Sequence, residues 1–174
     1  MPLIKPVNKL YVKWLGEQFF ASADAMECHS SHRIANESVG GLMGRPGSYG
    51  YVVTNVWRKM LGFIVFRIYP QEQKLHFIDL VVHPDHRNKG VGSKLVGRMQ
   101  IKADEVKCIL APMRETNLVG HKFLRKNEFV AYRVLPDFYS QEWADGSIDK
   151  EDAYVFIHSS SPDVVEAAMK GIRK

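Results

Sequence analysis

Only two cysteines, Cys28 and Cys108, occur in 174 residues, and neither stands in a Cys-x-x-Cys or Cys/His spacing. That excludes a zinc-ligand pattern and a disulfide framework, so no metal is expected. Long apolar runs are missing too. Nowhere do about 18 apolar residues follow one another, and the opening MPLIKPVNKL holds no apolar signal-peptide core. A cytoplasmic protein without a membrane partner is the expectation. The sequence has no internal repeat, linker or low-complexity tract, which suggests one domain over residues 1–174 with a short helix at 161–174. Both common phosphate signatures are absent: no loop ends in Gly-Lys-Ser/Thr, and no Gly-x-Gly-x-x-Gly follows the first strand. A basic stripe interleaved with aromatics is also missing, so nucleic acid is not an expected partner. The net charge of +5 suits any polyanion.

What is present centres on Leu75–Ser93, LHFIDLVVHPDHRNKGVGS, where an apolar strand passes through His83-Pro84 into a basic, glycine-bearing turn that opens a helix. Gly90 and Gly92 would let the backbone approach a ligand closely. The unpaired N–H groups of a first helical turn and the positive end of its dipole favour an anion, and Arg87 and Lys89 add charge beside them. The spacing Arg-x-x-Gly-x-Gly over Arg87–Gly92 fits a pyrophosphate.

The rest of the chain alternates. Leu10, Trp14, Leu15, Phe19 and Phe20 recur at helical spacing and predict a helix over Asn8–Ala23. Cys28–Met43 is ambiguous between loop and short helix, and Arg45-Pro46-Gly47 reads as a turn. Tyr49–Thr54 and Met60–Tyr69 form an expected hairpin around Asn55–Lys59, followed by a central strand over Leu75–Val82. A helix over Gly90–Ala103 carries Val91, Leu95 and Met99 on one stripe, with Lys94, Arg98 and Lys102 opposite. Then come a strand over Lys107–Met113, a helix over Asn117–Lys126 capped by Thr116 or Asn117, and strands over Phe129–Leu135 and Ala153–His158 with a polar loop through Asp145-Gly146. Ser161-Pro162-Asp163 starts the last helix.

The Arg87–Gly92 loop resembles motif A of the GNAT superfamily of acetyl-CoA-dependent N-acetyltransferases, which binds the pyrophosphate of coenzyme A. Val81-Val82-His83-Pro84-Asp85 is similar to the family's strand that leads through Pro to Arg. Arg114-Glu115-Thr116-Asn117 with Phe123–Phe129 resembles the segment in which an Asn opens a helix ending in Tyr-x-x-x-Gly-Phe. Phe138-Tyr139 and Glu151-Asp152-Ala153 resemble the paired aromatics and Glu-Asp-Ala of the ribosomal-protein alanine N-acetyltransferase group. The resemblance runs from about Tyr49 to Phe156. It implies an α/β (α+β) GNAT fold: a mixed, mostly antiparallel sheet splayed between its fourth and fifth strands, with helices on both faces. It also implies acetyl-CoA as co-substrate, held by Leu80, Val81, Val82, Arg87, Asn88, Lys89, Gly90, Val91, Gly92, Ser93, Asn117 and Leu124. The backbone N–H groups of Val81 and Val82 are expected to serve the thioester carbonyl. The acceptor is a primary amine, first a protein N-terminal α-amine and second a small amine such as a polyamine or antibiotic. A non-catalytic acyl-CoA-binding module is the alternative outside enzymes, and a homodimer is one option for assembly.

Three positions depart from the resemblance. The glutamate that acts as base in the alanine group falls at Pro112, the acid tyrosine at Leu124, and the glycine of Gly-Phe at Glu128, which is expected to carry a left-handed strain unless Asn127 supplies the turn. Pro112 is compatible with a strand where no ladder partner needs its N–H. Tyr139 is the expected general acid, since a phenol can donate to a thiolate. Among the other candidates, Tyr132 is a second proton source, Glu115 is expected to cap a helix or form a salt bridge, His83 is expected to be structural, and Asp79 must be paired or solvated at the splay. A missing base favours an α-amine. With a pKa near 8 roughly a tenth of it is neutral at pH 7, against about one part in 2500 for lysine.

Overall fold

In a computed structural model that describes residues 3–7, 43–57, 59–142 and 145–172, seven strands form one sheet: β1 Leu3–Pro6, β2 Ser48–Thr54, β3 Met60–Tyr69, β4 Lys74–Val82, β5 Cys108–Arg114, β6 Val130–Glu142 and β7 Ile148–His158. Helices α1 Val91–Lys102, α2 Leu118–Lys126 and α3 Pro162–Ile172 complete the described part. The strand order is β1-β2-β3-β4-β5-β7-β6, antiparallel throughout except for β4 beside β5. The mixed, mostly antiparallel sheet is the expected one. The helix predicted over Asn8–Ala23, and Cys28–Met43 apart from Met43 itself, lie outside the described residues.

Leu3–Pro6 is a strand the sequence pattern did not signal. It pairs with β2 at the sheet edge, where a proline's missing N–H costs no ladder bond. The hairpin at Asn55–Lys59 closes because the Asn55 side chain accepts from the N–H groups of Trp57 (3.0 Å) and Lys59 (2.9 Å). Helix α1 buries Val91, Leu95, Val96 and Met99 against Ile64, Phe66, Leu75 and Phe77, with Leu124 and Phe123 of α2 packed into the same core. Strands β6 and β7 run well beyond their apolar cores. Cross-strand pairing from Tyr139↔Glu151 to Glu142↔Ile148 holds their polar ends, past a bulge at Leu135–Tyr139 where Asp137 (φ 53°) donates its N–H to Asp152 Oδ1.

Helix α2 ends as its sequence foretells. The N–H of Phe129 bonds the carbonyl of Leu124 (3.1 Å) and that of Glu128 bonds Arg125 (3.1 Å), a Schellman pair with Glu128 left-handed at φ 68°. Asn127 does not take over the turn. Glu128→Gly should therefore raise stability by about 1 kcal/mol, the cost of a Cβ at this conformation less glycine's extra chain entropy. Urea unfolding of the two proteins checks the sign.

Candidate active site

Strands β4 and β5 pair only at Lys74↔Cys108, Leu75↔Ile109 and His76↔Leu110, and diverge beyond. The sheet thus opens into a cleft walled by Phe77–Val82 and Ala111–Arg114. The N–H of His83 donates to Leu61 O (2.9 Å), which makes Gly62↔Val82 a non-hydrogen-bonded pair and turns the N–H and C=O of Val82 and Leu80 toward the cleft. Val81 faces the β3 ladder instead. Of the two N–H groups expected to serve the thioester, the geometry offers Val82 and takes Val81 away.

The opposite wall is built by the same rule. Glu115 N–H donates to Asp152 O (3.1 Å), so Arg114↔Ala153 and Pro112↔Val155 are non-hydrogen-bonded pairs and Pro112's nitrogen faces the cleft, where no ladder partner is lost. Arg114 and Tyr139 lie buried on the sheet face away from α1 and α2. The guanidinium carbon of Arg114 sits 4.6 Å from the centroid of the Tyr139 ring, and Phe138 meets that ring edge-on at 5.0 Å. Arg114 Nη1 bonds Glu151 Oε2 (2.6 Å), whose other oxygen accepts from the Thr116 N–H (2.8 Å) and hydroxyl (2.6 Å). Burial of Glu151 works against its charge, but the hydrogen bonds from Thr116 and Arg114 win and hold its carboxyl below the usual range. Burial raises the Tyr139 phenol to about 12; Arg114 opposes that shift, and the charges of Glu151 and Asp79 add to it. Tyr139 sits in strand β6 rather than in a loop, where the sequence pattern put it.

Asp79, on β4, is only 7% exposed. Its Oδ1 accepts from the cleft-facing N–H of Leu80 (2.8 Å), while Oδ2 has no partner. Burial pushes this carboxyl up to about 7 against the opposing Leu80 bond. The expectation of a paired or solvated Asp79 is only half met.

At the cleft mouth, Pro84–His86 forms a turn in which His83 Nδ1 accepts from the Asp85 N–H (3.3 Å), the structural role expected of it. Arg87 donates to Val82 O (3.2 Å) and Lys89 to Asp85 O (2.8 Å); Asn88 (φ 57°) and Gly90 (φ 78°) are left-handed. Gly90 is the N-cap of α1 and supplies no side chain to its N–H groups, so those of Val91, Gly92 and Ser93 remain available at the positive helix end. A Cβ on Gly90 would meet open space, so its glycine answers to the backbone angle. One on Gly92 would lie 3.0 Å from the Phe123 ring, so that glycine answers to helix packing rather than to ligand approach.

Asn117, not Thr116, caps α2, accepting from the Gly120 N–H (2.9 Å). Leu124 is wholly buried in the apolar core, where it contributes packing. Glu115 is exposed and neither caps the helix nor forms an ion pair among the described residues; the salt bridge of this region is Arg114–Glu151. Tyr132 lies at a bulge beneath Arg133, separate from the cleft group. The residues that sequence reasoning missed are Arg114 and Glu151. Glu151 stands in the Glu-Asp-Ala that carries the resemblance, but nothing local gives it a role, since its partner lies 37 positions away. No group of metal-ligating side chains occurs among the described residues, and no described helix is long and apolar enough to cross a membrane.

The chain is similar in structure to an N-acetyltransferase from Staphylococcus aureus Mu50 (TM-score 0.71, 15% identity, 91% of this chain and 98% of that one). It is also similar to Arabidopsis thaliana NAA60 in complex with acetyl-CoA (0.69, 12%, 92% and 99%), and to the ribosomal-protein-S18-alanine N-acetyltransferase from Escherichia coli (0.63, 15%, 92% and 95%). At these identities the likeness is one of fold. No curated protein matches the chain. The model of the acetyltransferase (GNAT) family matches residues 10–129, spanning β2 to the end of α2 and with them the splayed cleft and its glycine loop, and the chain belongs to that family of acetyltransferases.

Proposed function

We propose that the protein moves an acetyl group from acetyl-CoA to an α-amine, with a protein N-terminus the leading acceptor and a small amine the second. The observation that carries this is the cleft beside an uncapped helix start: one cleft-facing N–H at Val82, a positive helix end behind Gly90, and Arg87 and Lys89 flanking it. Acetyl-CoA supplies the activated acyl group. In this reading the Val91–Ser93 N–H groups, with Arg87, Asn88 and Lys89, take the pyrophosphate; Leu80, Val82 and Asn117 border the acyl arm; Tyr139 gives the thiolate its proton. Similar folds serve both acceptor classes, as one neighbour is an alanine N-acetyltransferase and another, from Vibrio cholerae, a spermidine/spermine N-acetyltransferase. The special likeness to the alanine group rests on Glu151-Asp152-Ala153 and Phe138-Tyr139. Single-domain organisation over residues 1–174 is part of the same reading.

Gly90→Val should weaken acetyl-CoA binding by at least about tenfold, because a β-branched residue at φ 78° forces the loop out of register with the helix start. Calorimetry on the folded variant reads this directly, and unchanged affinity would put the pyrophosphate elsewhere. For the acceptor, peptides matched except for a blocked N-terminus or a blocked lysine, incubated with acetyl-CoA, should gain the acetyl group on the α-nitrogen. Modification of lysine alone overturns the reading.

A further inference from the structure

Three buried side-chain atoms among the described residues lack a hydrogen-bond partner: Arg67 Nη2, Arg114 Nε and Asp79 Oδ2. Only the last is an acceptor. A buried carboxyl left half-satisfied costs free energy, and such groups gather where chemistry is done. Its place agrees. Asp79 stands three residues past the last β4/β5 pair, and its bonded oxygen sits on a cleft-facing N–H, so the carboxyl lies at the cleft wall. From β6, Tyr139 lies within reach of its charge; from β5 and β7 come Arg114 and Glu151, which are paired to each other. Its cross-strand neighbour on β3, Val65, brings no charge.

We propose that Asp79 is the proton acceptor of the reaction, receiving the acceptor's ammonium group against Oδ2 and doing from β4 what Pro112 cannot do from β5. This rests on the reading of the chain as an amine acetyltransferase. The ammonium and the thioester give an amide, a thiol and one proton, as a C–N bond forms and the C–S bond breaks. Of the two protons the nitrogen gives up, the first goes to the Asp79 carboxylate and on to solvent. The second reaches sulfur through the Tyr139 hydroxyl, which takes one proton as it gives another. The site also selects its substrate. Against a carboxyl at about 7, an α-ammonium near 8 is about one unit uphill and a lysine near 10.4 more than three, a difference on the order of several hundredfold.

Asp79→Asn keeps the shape and the bond to Leu80 N–H. With an α-amine peptide its turnover number should fall at least about a hundredfold, the acidic limb of the pH–rate profile near 7 should vanish, and acetyl-CoA affinity should stay within about twofold. Above pH 7 the variant should melt no lower than the parent, since a buried charge has gone. In the parent protein saturated with coenzyme A, glycinamide should shift the carbon-13 resonance of the Asp79 carboxyl. An Asp79→Asn enzyme within about twofold of the parent overturns the proposal, as does a carboxyl that titrates near 4 and ignores glycinamide. If the parent acetylates no α-amine, the functional reading fails instead, and the glycinamide shift still decides whether Asp79 meets an ammonium group.

Discussion

Tyr139→Phe is expected to lower the turnover number by well over tenfold, within the range of about 10² to 10⁴ that a positioned proton donor supplies, with acetyl-CoA affinity changed by less than about twofold. The ring would stay where it is, because Phe138 edge-on and Arg114 above it contact the ring and not the hydroxyl. What disappears is one proton at the end of the cleft. A phenol at about 12 is held neutral at every working pH. It is also a reluctant donor to a thiolate whose thiol has an ordinary pKa near 8.5, so it serves best when it receives a proton as it gives one, as in the proposed relay from the amine. Kinetics at saturating substrates should therefore show the loss in the turnover number rather than in the KM for acetyl-CoA. A variant within about twofold of the parent removes Tyr139 from the reaction and leaves water as the donor.

Glu151→Ala should destabilise the fold by up to about 3 kcal/mol, the lower end of the range for breaking a buried ion pair, because the pair is only partly buried and the Glu151 side chain keeps 18% of its exposure. The alanine would strand an arginine whose side chain is only 9% exposed and which already has one unpartnered nitrogen, and it would also release Thr116 at the start of the α2 cap. Glu151→Gln should cost less, since the Thr116 bonds survive. The carboxyls of Glu151, half-buried, and Asp79, buried, also tilt stability with pH in opposite directions. Glu151, lowered on folding, contributes stability that is present above its unfolded value near 4.5 and is lost as pH falls through the folded value. Asp79, raised to about 7, contributes stability that is full below its unfolded value near 3.8 and is lost as pH rises toward 7. Melting curves across pH 3 to 9, on the parent and on the two single variants, should separate the limbs.

The glycine loop was legible because every one of its requirements is local. A strand, a proline turn and a left-handed glycine before a helix are written in consecutive residues, and Glu128's strain could be read the same way from its place after α2. The reasons for the two glycines were not equally visible. Gly92 is small because Phe123, thirty-one positions on, packs against it, and no local pattern announces that. Nor could alternation along β4 say which backbone groups face β3 and which the cleft. That depended on the register of Gly62↔Val82, which one bond from His83 fixes.

The amino-acid sequence by itself determined the order of most strands and helices and the glycine-bearing turn before a helix, since periodicity and short-range backbone preferences settle these within a few residues, and its motifs carried the resemblance to the family. Only the tertiary structure brought together the side chains at the far end of the cleft. Asp79, Arg114, Tyr139 and Glu151 come from four strands, and the shifts of Asp79, Tyr139 and Glu151 follow from burial and pairing, quantities that exist only once β4 and β5 have parted and β7 and β6 have paired beside β5.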